Sequence, residues 1–145
     1  MKNLFYFFAI SLFAVSFLSC NSKSNQNQNN NPVVETTYGA ISGTIEDGIF
    51  TFKGVPYAKA DRFMPPQEPD SWEGVLECKD FGPVTKQIVS WIPDSTQDEK
   101  ELFSVNVWSQ GINDGKNRPV MLWLHGGGFH VGSSNDPMTY GKAMA

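Results

Sequence analysis

His125-Gly126-Gly127-Gly128-Phe129 is the stretch whose residue types could do chemistry. Three consecutive glycines leave backbone N–H groups unshielded by any side chain, so a small developing anion can approach them closely. The tetrahedral intermediate of acyl transfer carries such an anion. Each preorganised N–H donor aimed at it is typically worth about 2.7–4 kcal/mol of transition-state stabilisation. The nucleophile served by a loop of this kind sits on a G-x-S-x-G turn, and no G-x-S-x-G occurs in these 145 residues. On the motif alone, a glycine-rich turn without a ligand is the plain alternative. A phosphate cradle fits less well, because G-x-G-x-x-G fails at Val131 and no P-loop lysine follows Gly132.

Such a loop has to be held by an element that enters it. Val120-Met121-Leu122-Trp123-Leu124 is an apolar run bounded by Pro119 and the glycine cluster. It predicts a strand covered on both faces, as in parallel α/β sheets. Upstream, Val33 to Phe52 reads as β-hairpins and short strands, with Tyr38-Gly39 and Asp47-Gly48 as turn signals. Lys53 to Ala58 carries a glycine and a proline that punctuate an extended segment rather than continue a strand. Arg62 to Pro69 is proline-rich and predicted irregular, Trp72-Glu73-Gly74-Val75 marks a further turn, and Leu102 to Trp108 is a second β candidate. The loop Gly111 to Arg118 joins that candidate to the apolar run, and Lys142 to Ala145 reads as the first turn of a helix. No repeat of solenoid period is present.

The N-terminus points out of the cytoplasm. Lys2, an apolar segment from Leu4 to Leu18 and Ser19-Cys20 form a secretion signal. Its end is similar to a bacterial lipoprotein signal in which Cys20 is lipidated, although Phe17 stands where an aliphatic residue is commoner. An ordinary cleaved signal or an uncleaved anchor is the alternative, but an apolar run of about 15 residues is short of the roughly 20 that span a bilayer. Asn21 to Asn31 holds only Asn, Gln, Ser and Lys, and reads as a solvated tether. The domain plan is therefore a signal over 1–19, a linker over 20–32 and a folded part over 33–145. Removing the signal takes Lys2 and no acid from the chain's 11 basic and 15 acidic residues, which moves the formal charge from −4 to −5. That balance argues against nucleic acid as a partner. Cys78 is then the one remaining cysteine, no internal disulfide can form, and no metal-ligand spacing is present.

In order along the chain, Tyr38-Gly39 with Gly43, Phe52-Lys53-Gly54-Val55-Pro56-Tyr57-Ala58, Arg62-Phe63 with Pro65-Pro66, Trp72-Glu73-Gly74-Val75, Phe81-Gly82-Pro83, Val105-Asn106-Val107-Trp108, and Val120 to Phe129 with Gly132-Ser133 together resemble the type-B carboxylesterases. These are the cholinesterase-like branch of the α/β-hydrolases. The resemblance covers Val33 to Ala145 and implies an α/β fold: the N-terminal part of an α/β-hydrolase sheet, with N-terminal β-hairpins and the first core strands, incomplete. It implies that Gly127 and Gly128 donate to the oxyanion while Gly126 shapes the turn, that a third donor follows a serine lying beyond Ala145, and that no cofactor is needed. In that fold the triad runs Ser, then Asp or Glu, then His, so His125 is expected to be structural and His130 to sit at a pocket rim or the surface. Trp123 and Phe129 are expected in the core or pocket wall, Phe129 with the option of lining the acyl pocket. Many members carry a disulfide between positions where Thr85 and Leu102 stand here, so that bridge is absent. Cys78 fills neither place and is expected to be half-buried. The segment between Ala58 and Arg62 is also shorter than in most members.

The leading expectation is the N-terminal portion of a secreted, membrane-anchored serine carboxylesterase acting on small-molecule esters, with neither nucleophile nor triad in this chain and inactive alone. A non-catalytic surface lipoprotein or binding module is the alternative. If the chain ends at Ala145, Val120 to Leu124 is left with open edges, which predicts instability or aggregation.

Overall fold

The structure, a computed structural model, describes residues 31–91 and 96–145. The signal, Cys20 and the tether as far as residue 30 lie outside the described residues.

Two small three-stranded sheets carry the fold. In the first, β1 (Val33–Glu35) runs antiparallel to β2 (Ala40–Ser42) with Val34 opposite Ile41. The turn between them is tied by Thr36, whose N–H and Oγ1 both donate to the Gly39 carbonyl, at 3.0 and 2.7 Å. In the second, β3 (Thr44–Glu46) and β4 (Ile49–Pro56) form the hairpin expected at Asp47-Gly48. Both turn residues have positive φ, 50° and 84°, as the tightest hairpins require.

The long-range pairings complete each sheet. β5 (Val75–Glu77) adds parallel to β2, delivered by the turn at Trp72-Glu73-Gly74, and Trp72 donates its indole N–H to the Ala40 carbonyl at 2.8 Å. β6 (Val84–Thr85) and β7 (Gln97–Asp98) make a separate parallel pair. β8 (Ser104–Ser109) adds antiparallel to β4. Here the punctuation reading of Gly54 and Pro56 is corrected, because β4 continues through both. A register shift between Phe52 and Val55 bulges the strand, with Gly54 at φ 66°. The amides freed by the bulge find other acceptors: the Gly54 N–H donates to Asn106 Oδ1 at 2.9 Å and the Lys53 N–H to the Cys78 carbonyl at 2.8 Å.

The core is small, with Ile41, Phe52 and Cys78 packed against Val34, Phe50, Val55, Trp72 and Ile112. Cys78 is buried rather than half-buried, at 2% exposure, and burial pushes its thiol pKa up. It follows β5 directly, and its N–H donates to the Ser42 carbonyl at 2.7 Å, which draws the side chain inward between the sheets. The proline-rich stretch 62–69 is exposed and irregular as expected, with one bridge pairing Lys59 and Gln67.

The largest departure concerns Val120 to Leu124. The run pairs with no strand among the described residues, and its five side chains are 60–94% exposed. An apolar run becomes a buried strand only where neighbouring strands and covering helices take up its edges and faces, and no described element does so. Trp123 and Phe129 are accordingly in solvent rather than in a core, at 60% and 110% exposure. Beyond the glycine loop, Pro137–Thr139 and Gly141–Ala143 form 3-10 turns. The second matches the expected helical turn near 142–145, with the N–H groups of Met144 and Ala145 donating to the Gly141 carbonyl at 3.0 and 3.1 Å.

Candidate oxyanion loop

Backbone geometry makes the glycine run a closed turn. The Gly127 carbonyl accepts from the N–H groups of His130 and Val131, at 3.1 and 3.2 Å. Gly127, Gly128 and Phe129 all have positive φ, at 122°, 61° and 63°. A Cβ on Gly127 would lie 1.6 Å from the Val131 carbonyl oxygen, whereas one on Gly128 would meet nothing within 4 Å. The turn is therefore tight inside at Gly127 and open outside at Gly128. The N–H groups of both residues have no acceptor among the described residues. Backbone N–H groups free of an internal acceptor and of a side chain are groups that an anion can approach.

His125 sits exposed at the entry to the turn, its Nδ1 2.7 Å from the Gly126 carbonyl. His130 is exposed, in keeping with a surface position. The exit of the turn is held by residues that local sequence signals did not single out. Gln87 Oε1 accepts from the Gly132 N–H at 2.8 Å, while Gln87 Nε2 donates to the Gly132 carbonyl at 3.0 Å. Asn106 Nδ2 donates to the Ser134 carbonyl at 3.2 Å and Asn135 Nδ2 to the Gly82 carbonyl at 2.9 Å.

A cavity of about 790 Å³ opens beside this exit, walled by Phe81, Trp91, Asp98, Ser133, Asp136 and Met138 among others. Neither Gly127 nor Gly128 lines it, and Phe129 also stands outside it. Asp98 is held below the usual carboxylate range by the N–H groups of Glu99 and Lys100. Farther from the loop, burial works to raise the Glu46 carboxyl, but hydrogen bonds from Tyr140 and Lys53 outweigh it and hold the pKa below its ordinary value. Among the described residues no group of His, Cys, Asp and Glu could hold a metal ion.

The family model for carboxylesterases matches residues 30–145. The chain belongs to the carboxylesterase family. A para-nitrobenzyl esterase of Bacillus subtilis (strain 168) is 37% identical over 122 residues, covering 78% of this chain and 24% of its own length. A phenmedipham hydrolase of Pseudarthrobacter oxydans is 35% identical over 118 residues, covering 73% of this chain and 24% of its own. Among solved structures, a Geobacillus stearothermophilus carboxylesterase superposes with a TM-score of 0.65 at 44% identity, covering 75% of this chain and 22% of that one. A thermophilic para-nitrobenzyl esterase gives 0.69 at 33% identity, covering 77% and 25%. The fold is thus that of the N-terminal part of a carboxylesterase α/β-hydrolase domain, and the chain spans about a quarter of the length of the relatives it matches.

Proposed function

We propose that this chain is the N-terminal portion of a secreted serine carboxylesterase and that the N–H groups of Gly127 and Gly128 receive the oxyanion of an ester's tetrahedral intermediate. The observation that carries the reading is the pair of amides left without acceptors among the described residues, on a turn that the Gly127 carbonyl closes. When a serine attacks the carbonyl carbon, negative charge moves onto the ester oxygen. Donors fixed in advance lower that barrier without reorganising at the moment of reaction. The serine and the histidine that shuttles its proton belong to the part of the family's domain for which this chain has no counterpart, so the chain alone is inactive. The substrates are small carboxylic esters. No cofactor takes part and no nucleic acid is bound. Cys20 carries the lipid that anchors the protein to a membrane after export, with residues 21–31 as the tether.

The test is to purify residues 20–145 and assay hydrolysis of a short-chain aryl ester, beside a Gly127→Asp variant and a buffer blank. No turnover above the blank is expected from either protein. Turnover that the variant loses would reveal a nucleophile within this chain and overturn the fragment reading. One observation favours a second reading, a non-catalytic surface lipoprotein: the exposed apolar run Val120 to Leu124 offers a binding surface that needs no serine. A gene whose reading frame ends at Ala145 with no downstream G-x-S-x-G would favour it.

A further inference from the structure

The glycine turn is closed by the Gly127 carbonyl, and its exit at Gly132 lies against its entry. A Cβ placed on Gly132 would lie 2.5 Å from the Gly126 carbonyl oxygen and 2.7 Å from His125 Nδ1, so the chain leaving the turn lies directly against the chain entering it. What sits at Gly132 therefore sets the relation between the two ends of the loop that holds Gly127 and Gly128. The grip on Gly132 comes from a residue 45 positions earlier. Gln87 presents its side-chain amide to the Gly132 backbone as a strand would, taking the N–H with Oε1 at 2.8 Å and the carbonyl with Nε2 at 3.0 Å. Gln87 is itself fixed on two sides. Its N–H donates to Gln97 Oε1 at 2.8 Å, and its Nε2 also donates to the Thr85 carbonyl at 3.1 Å. Both Nε2 hydrogens are thus used, and the amide plane has no freedom to turn away from Gly132.

We infer that Gln87 is a positioning residue for the oxyanion loop, holding its base so that the Gly127 and Gly128 N–H groups keep one orientation. The inference rests on the reading of those two amides as oxyanion donors. The mechanics require both ends of the side-chain amide. A carboxylate at the same place keeps the acceptor for the Gly132 N–H but sets a second oxygen against the Gly132 carbonyl. An alanine removes both contacts. Preorganisation is where such a residue acts, because a donor that wanders before the reaction loses the advantage it holds over water.

The experiment is amide NMR and hydrogen exchange on the isotopically labelled protein, for Gln87→Ala and Gln87→Glu beside the unaltered chain. In Gln87→Ala the Gly132 amide should exchange about tenfold faster or more, since its hydrogen bond is gone. The Gly127 and Gly128 amide signals should shift or broaden, while the amide of buried Phe52 keeps its protection. Gln87→Glu should preserve much of the Gly132 protection yet still perturb Gly127 and Gly128. Unchanged Gly127 and Gly128 signals in Gln87→Ala would overturn the inference. So would an equal loss of protection at Phe52, which would make Gln87 a general stabiliser. No turnover is read, so the outcome is independent of the ester assay. A loop that follows Gln87 in a protein with no esterase function would leave the positioning role standing and remove only the catalytic reading.

Discussion

A methyl group meets very different surroundings at two adjacent glycines of the turn. At Gly128 it would point into open space, and only the left-handed backbone would resist it, at about 1–2 kcal/mol for a non-glycine residue. At Gly127 it would collide with the Val131 carbonyl oxygen 1.6 Å away, so the turn itself has to open. Gly128→Ala should therefore keep the hydrogen bonds from His130 and Val131 to the Gly127 carbonyl, while Gly127→Ala loses them. Amide protection at His130 and Val131 separates the two cases. Equal loss in both variants would mean that backbone strain alone governs the turn. The turn itself was legible in the sequence, because consecutive glycines adopt the positive φ that Gly127 and Gly128 show. The partner at Gly132 was not, because a glutamine amide leaves no local signature and its contact spans 45 residues.

At the scale of elements, the segment after the turn is fastened to the β3–β4 hairpin by a charged cluster. Lys53 Nζ lies 2.9 Å from Glu46 Oε1 and over the rings of Phe81 and Tyr140, at 5.1 and 5.3 Å from their centroids. The Tyr140 hydroxyl donates to Glu46 Oε2, Thr44 Oγ1 lies 3.4 Å from Glu46 Oε1, and Lys142 pairs with Asp47 at 2.6 Å. The Glu46 pKa lies below its ordinary 4.5, so its contribution to stability is complete above 4.5 and is lost as pH falls through the lowered value. Lys53 is opposed by burial but raised above 10.5 by Glu46 and Tyr140, so its contribution is complete below 10.5 and is lost as pH rises through the raised value. The attachment should be firmest between those limits. Tyr140→Phe should cost about 1.5–3 kcal/mol, the usual worth of a hydrogen bond to a charged group. Glu46→Gln should flatten the acid limb. Trp108, whose ring lies 5.1 Å from that of Tyr140, is the fluorescent reporter for both, and an unchanged acid limb in Glu46→Gln would assign the titration to another group. The hairpin at Asp47-Gly48 could be read from two residues because its turn chemistry is local. The continuation of β4 could not, since Gly54 and Pro56 are tolerated only through a bulge whose freed amide is taken by Asn106, a residue on another strand. β5 was missed for the same reason, because its pairing with β2 joins segments more than 30 residues apart.

For the whole molecule, the governing fact is an apolar run that no described residue covers. Val120, Met121, Leu122, Trp123 and Leu124 carry no charge, and they stand 94%, 62%, 72%, 60% and 78% exposed. Successive side chains of an extended strand point to opposite faces, so pairing of this run as a strand would put Val120, Leu122 and Leu124 on one face and Met121 and Trp123 on the other. Open backbone edges and two apolar faces together make a template for pairing with another chain. The sequence predicts a buried strand for this run, and among the described residues it is neither a strand nor buried. Its burial depends on elements that the described residues do not supply, and no pattern inside five residues reveals whether they are present. The chain should therefore self-associate in a concentration-dependent way, followed by static light scattering. Leu122→Lys with Leu124→Lys puts charge on one face and should suppress association. The unfolding free energy of the core around Ile41, Phe52 and Cys78 should change by no more than about 0.5 kcal/mol per substitution, as exposed substitutions generally do. Persistent association in the double variant would place the sticky surface elsewhere. A large loss of core stability would mean that the run packs onto the sheets in solution after all.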